Sequence, residues 1–445
     1  MSARARLRRE LGLLPLAAIV FLNVSGGPYG IEDTVPSFGP GLTLILLVLV
    51  PLLWSLPVSL AMSELASAMP DEGGYVTWTT RAFGRFWGFQ VGWWSWIDSF
   101  VDVAVYPALF VEYIKFWHPA LTTGERWLLA VLFIVALTTL NLRGVRPTGN
   151  AAVAMTIGAL APIALLVVVG LFHVTMPPWR PIVPEGHALM SGLGLGLAVV
   201  MWNYSGWDTP STVLGETRAP EHAFRRALLL SVPLIAVSYV LPMSIALASG
   251  ATEWSSWTTG ALPTVAARIG GAWLGHAVAA GAVISTAGLF MALLLTNSRV
   301  PYVLARDGSF PRVFAALHPR YGTPWAAILL SAAVYTACAM FSFKELIVLN
   351  VWLYSVTLLI ELAAFLVLRA RAPELPRPWR VPGGWAGAVA VTLPPSIFAL
   401  LAMGTAGWAN TAAGVLAALT GPLVWALTRR FSSITVARSG SVASE

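Results

Sequence analysis

Apolar runs of about 20 residues, each long enough to cross a bilayer as a helix, recur along the whole chain and are separated by short polar stretches. Twelve such spans are predicted, over 12–37, 41–66, 86–116, 124–142, 149–174, 190–216, 227–250, 272–298, 324–342, 345–368, 386–406 and 409–428. Two of them are interrupted. The first contains Val24-Ser25-Gly26-Gly27-Pro28-Tyr29-Gly30-Ile31-Glu32-Asp33, and the sixth contains Trp202-Asn203-Tyr204-Ser205-Gly206-Trp207-Asp208-Thr209-Pro210-Ser211. Glycine and proline leave helical backbone groups unpaired, which lipid cannot satisfy, so such breaks must be packed in protein or line a cavity. Breaks at corresponding positions, five spans apart, are the pattern of two inverted five-helix repeats with a site where the broken helices meet. The expected fold is therefore an all-α polytopic membrane protein. Residues 1–11 form a basic N-terminal segment, 12–174 and 190–368 the two repeats, 386–428 two further helices, and 429–445 a polar tail.

Composition agrees. Of the 445 residues 57% are hydrophobic and 11% charged, against about 25% charged in soluble domains. The net charge of +7 would suggest nucleic acid in a soluble protein. Here it is loop punctuation: 22 of the 27 lysines and arginines fall on one side of the alternating loops, and only Lys115, Arg126, Arg180, Arg268 and Lys344 on the other. The positive-inside rule then places both termini in the cytoplasm. Arg4, Arg6, Arg8 and Arg9 precede the first span, which lacks a clear cleavage site and reads as a retained helix. A single cysteine, Cys338, excludes an intramolecular disulfide. The six histidines fall at loops or span ends without metal-ligand spacing, and no nucleophile–base pair or phosphate loop stands out. The sequence thus indicates neither an enzyme nor a cofactor.

The stretch from Glu64-Leu65-Ala66 through Pro70 and Gly73-Gly74-Tyr75 resembles the signature of the amino acid–polyamine–organocation superfamily. The segments 25–33, 70–78, 86–107, 203–216, 341–354 and 375–384 resemble one branch of it, the polyamine uptake transporters best known from plants. The resemblance covers nearly the whole chain. It implies a LeuT-type fold and polyamine uptake driven by protons.

Amino-acid transporters of this superfamily hold the substrate carboxylate with backbone N–H groups at the first break, here Ser25, Gly26 and Gly27. This chain departs from that design. Pro28 removes a donor, and Glu32 and Asp33 place negative charge on the first turn of the following half-helix. A carboxylate would be repelled there and a cation attracted. Trp94, Asp98, Asp102 and Tyr106 are spaced four apart, on one face of the third span. Four residues rise by about 6 Å, close to the separation of two amines on a four-carbon linker. Asp208 follows the second break. A carboxylate within a membrane costs at least about 2.5 kcal/mol and is a functional candidate by default.

Each candidate has a structural alternative. Glu32 either binds substrate or caps the half-helix; Asp98 is either an extra carboxylate or a packing group. Asp33 faces the outer vestibule, while Glu64 and Glu361 are assigned to structural hydrogen bonding or gating. Trp202, Tyr204 and Trp207 are singled out because a cation on an aromatic face gains about 0.5–2 kcal/mol, and Tyr354 is placed at the site by the resemblance. Span five lacks a lysine, and its Thr156 and nearby Thr175 do not make a sodium cage, so coupling through buried acids that take up and release protons is preferred. The expected partners are a small cationic substrate, protons and the bilayer, with no nucleic acid, in a monomer or homodimer. A proton-coupled transporter of cationic or neutral amino acids is the alternative.

Overall fold

A computed structural model describes residues 7–183, 197, 199–339 and 343–441; side-chain surroundings are described for 7–183, 197, 199–339, 350 and 352–429. The first part of the basic segment (1–6), the start of the sixth span (190–196), motif residues 341–342 and the end of the tail (442–445) lie outside these residues.

Among the described residues the elements are helical. They are α1 (Leu13–Val24), α2 (Thr34–Phe38), α3 (Pro40–Val50), α4 (Leu56–Ala68), α5 (Tyr75–Phe83), α6 (Arg85–Asp102), α7 (Val105–Ile114), α8 (Thr123–Leu142) and α9 (Val145–Gly170). After the second break follow α10 (Pro220–Ala248), α11 (Ala261–Gly270), α12 (Ala272–Asn297), α13 (Arg299–Arg306), α14 (Trp325–Cys338), α15 (Phe343–Arg371), α16 (Gly384–Thr405) and α17 (Gly407–Ser441). Among the described residues eight continuous helical stretches are long and apolar enough to cross a membrane, so this is a multi-pass helical membrane protein.

Local sequence explains many boundaries. Thr122 accepts a hydrogen bond from the Glu125 N–H while Glu125 bonds back to the Thr122 N–H, a capping box that starts α8. Pro40 and Pro220 stand at the first turns of α3 and α10, where no backbone donor is required. Between α3 and α4 the chain makes a π-helical turn, Pro51–Ser55. Pro51 has no N–H to return to the Leu47 carbonyl four residues earlier, and the Tyr204 hydroxyl donates to that carbonyl at 2.7 Å.

The two broken segments sit at the centre. α1 packs against α9, α10 and α12. The apolar window of α12 and α13 is 78% buried, whereas that of α17 is 17% buried and faces outward. α16 and α17 lean on α15, α4 and α6 from outside. The N-terminal segment is tied to the end of the second break: the Leu11 N–H donates to the Glu216 carbonyl at 3.0 Å and the Arg218 N–H to the Leu11 carbonyl at 2.8 Å.

Candidate functional site

In the first break α1 ends at Val24 and α2 begins at Thr34. Protein groups satisfy several of the freed donors. The Gly27 N–H donates to Ser25 Oγ at 3.0 Å, and the Gly30 N–H to Glu32 Oε2 at 2.8 Å. Tyr113 donates its hydroxyl to Glu32 Oε1 at 3.2 Å. Glu32 is fully buried and spans the loop like a cap. Asp33 turns outward and accepts from both the N–H and the hydroxyl of Thr259, each at 2.9 Å, tying the break to the loop before α11.

In the second break the helical turns end at Asn203, and a 3₁₀ segment, Thr209–Glu216, follows. The end of a helix leaves carbonyls without partners, and side chains take them up. Tyr239 donates to the Asn203 carbonyl at 2.9 Å, Trp207 Nε1 to the Tyr204 carbonyl at 2.7 Å, and Ser205 Oγ to the Met201 carbonyl at 2.7 Å. Gly206, at φ 93°, lies against the last turn of α1. A Cβ there would stand 2.9 Å from the Asn23 carbonyl oxygen, so only glycine permits the two breaks to touch.

Where they touch, a small, partly open cavity lies between them. Its walls come from the end of α1, from α6, from the second break, from α12 and from α15. Asp98 and Asp102 line it from α6. Asp98 Oδ1 accepts from Asn350 Nδ2 at 3.1 Å, and Asp102 Oδ1 from Trp202 Nε1 at 2.8 Å. Both donors are neutral, and among the described residues no lysine or arginine lines the cavity. Tyr354, also on the wall, donates to Asp208 Oδ1 at 2.6 Å and accepts from the Gly206 N–H at 3.1 Å. Asp208 therefore stands directly behind the wall. A second, smaller cavity is lined in part by Ser25, Gly26, Asn203 and Ser285. The two share Val24, Tyr106 and Trp202. The rings of Tyr106 and Trp202 are stacked there, 5.9 Å apart with 19° between planes. Uncompensated carboxylates beside aromatic faces suit a desolvated cation, by charge and by the ring quadrupole.

The structure gathers Asp98, Asp102, Trp202 and Tyr354 on one cavity, puts Ser25 and Gly26 on its neighbour, and sets Asp208 one hydrogen bond away. Gly27, Glu32, Tyr204 and Trp207 line neither cavity. Trp94 departs from the expected shared face: its Nε1 donates to the Ala418 carbonyl of α17 at 2.8 Å. Tyr106 belongs to α7, beyond the interruption at Val103–Ala104. Glu64 is held by Arg369 in a fork at 3.0 and 2.6 Å, and by Arg377 at 3.2 Å. Asn350, Ser99 and Asn297 also line the wall and were not singled out in the sequence; Ser99 and Asn350 fall within the 86–107 and 341–354 segments, the signals that pointed there. The buried pair Arg299–Glu216, at 2.8 and 3.2 Å, was also missed.

A family profile described as amino acid permease matches residues 11–427. The polyamine transporter PUT1 of Oryza sativa subsp. japonica is 37% identical over 415 residues, covering 92% of this chain and 77% of that protein. The polyamine transporter RMV1 of Arabidopsis thaliana is 35% identical over 392 residues, 87% of this chain and 79% of that protein. More distant is the branched-chain amino acid permease BcaP of Bacillus subtilis, 24% identical over 407 residues, 86% of this chain and 85% of that protein. By the extent of the profile match and by its likeness to the plant proteins, the chain belongs to the amino acid permease family of the amino acid–polyamine–organocation superfamily.

Proposed function

We propose that the protein is a secondary active transporter that imports polyamines, cations of the putrescine or spermidine kind, by proton symport across the cell membrane. Residues 12–174 and 190–368 act as two inverted repeats of a twelve-span LeuT-type fold. They rock about the breaks to give alternating access, with 386–428 outside them and both termini in the cytoplasm. The observation that carries the reading is the cavity where the breaks meet, with Asp98 and Asp102 on its wall bonded to the neutral donors Asn350 and Trp202. Substrate amines sit against these two carboxylates and the Trp202 face, and Tyr354 transmits the charge of Asp208. Ser25 and Gly26 receive the far end of the substrate in the second cavity. Glu32, Gly27, Tyr204 and Trp207 serve the site by holding the breaks open. The plant relatives, named as polyamine transporters, support this reading.

Transport of cationic or neutral amino acids is the second reading. It is favoured by the family description and by the likeness to a branched-chain amino acid permease. Uptake of labelled spermidine into proteoliposomes, in competition with putrescine, arginine, agmatine and leucine, separates the two. Putrescine is expected to compete and leucine not to; strong competition by leucine with no spermidine uptake would sink the polyamine reading.

A further inference from the structure

Glu361 on α15 is a buried acid unlike its neighbours. It is 1% exposed, and neither carboxyl oxygen has a hydrogen-bond partner among the described residues. Buried acids that serve as struts in this protein are bonded: Glu64 to Arg369 and Arg377, Glu216 to Arg299. An isolated ionised carboxylate in a dry helix bundle is strongly disfavoured, and the group takes a proton instead.

Its surroundings define a position between the cavity and one membrane face. Tyr354 lies seven residues earlier on α15, two turns or about 10 Å, on the same side of the helix. Arg369 lies eight residues later, where α15 meets Glu64. Glu361 interacts electrostatically with Asp208, with Tyr354 and, from α5, with Tyr75. Of the acids on packed elements, Asp98 is bonded to Asn350, Asp102 to Trp202, Glu64 to its arginines and Glu112 to Lys115, while Arg81 and Arg85 stand at the end of α5 and the start of α6. α16 carries no acidic or basic residue, and Arg429 of α17 lies over the Trp425 ring.

Resting on the polyamine–proton reading, we propose that Glu361 is the coupling proton's binding site during transport, set behind the substrate cavity and linked to it through Asp208 and Tyr354. Two interacting carboxylates in a dry site do not readily ionise together. When Asp208 is ionised to favour an amine at the cavity, Glu361 holds the proton. When the far side opens and water reaches α15, Glu361 releases that proton and the substrate leaves with it. The balance is one proton taken up and one released per cycle, with no other group consumed.

The test uses the full chain in proteoliposomes with labelled spermidine. Glu361→Gln is expected to keep spermidine counterflow while losing both accumulation driven by a pH gradient and spermidine-dependent proton influx, read by an internal pH dye. Wild-type accumulation in the variant overturns the proposal, as does loss of counterflow in folded variant protein. A second measurement needs no variant. Dicyclohexylcarbodiimide modifies protonated carboxyls in apolar surroundings, and peptide mass spectrometry of the treated wild type is expected to find the adduct on Glu361; its absence overturns the proposal. Wild-type protein without spermidine counterflow overturns the functional reading instead, and the adduct still decides for Glu361.

Discussion

At the residue scale, the acids near the breaks are held in three ways. Glu32 is closed by the Gly30 N–H and the Tyr113 hydroxyl, Asp33 by Thr259, and Asp98 and Asp102 by single neutral donors on a cavity wall. Of these four, only the last two line the cavity where the breaks meet. Asp102→Asn is therefore expected to lower spermidine uptake about tenfold or more, since a lost charge contact of about 1.4 kcal/mol is a factor of ten; unchanged initial rates would remove Asp102 from the site. Tyr204 is a different case. It is fully buried, and its hydroxyl meets the Leu47 carbonyl. Tyr204→Phe is expected to cost about 1–3 kcal/mol of stability, the penalty for a buried acceptor left unpaired, read as a lowered melting temperature in detergent. Folded variant protein should still bind spermidine.

At the scale of elements, much was legible because hydropathy and breakers act locally. The two interruptions and the long apolar helices follow from residue order. What was not legible depends on partners distant in sequence. Trp94 stands four residues before Asp98, but the Ala418 carbonyl of α17 draws its indole away. Tyr204 reads as an aromatic at a break, and only the fold shows that α3 needs its hydroxyl. Arg299 reads as a loop charge, yet it is fully buried against Glu216, at the junction of α12, α13 and the 3₁₀ segment. Arg299→Met is expected to destabilise the protein by about 3–5 kcal/mol by stranding a buried charge. Arg299→Met combined with Glu216→Met should recover part of that loss. A double variant as unstable as the single one would show that the pair acts through something other than charge.

At the scale of the whole molecule, the proposed orientation, with the arginine-rich loops in the cytoplasm, rests on the positive-inside rule. The single cysteine makes this testable. In a Cys338→Ser background, Gly124→Cys, at an open position beginning α8, is expected to react with a membrane-impermeant maleimide added to intact cells. Asp307→Cys, in the exposed turn after α13, should react only after the membrane is opened. The reverse pattern would invert the orientation and, with it, the direction in which the cavity delivers its cargo.

The pairing of Pro51 with Tyr204 bears on how this protein can vary through descent. A proline in one helix and a phenol 153 positions later are chemically a single unit, because one withholds the donor that the other supplies. Drift at either position is constrained by the other. A lineage that exchanges Pro51 for alanine regains a backbone N–H and is released from keeping a hydroxyl at 204, whereas the opposite order of substitution passes through a weakened protein. Tyr204→Phe is accordingly expected to lower the melting temperature less in a Pro51→Ala background than in the parent chain, which a four-membered mutant cycle would measure.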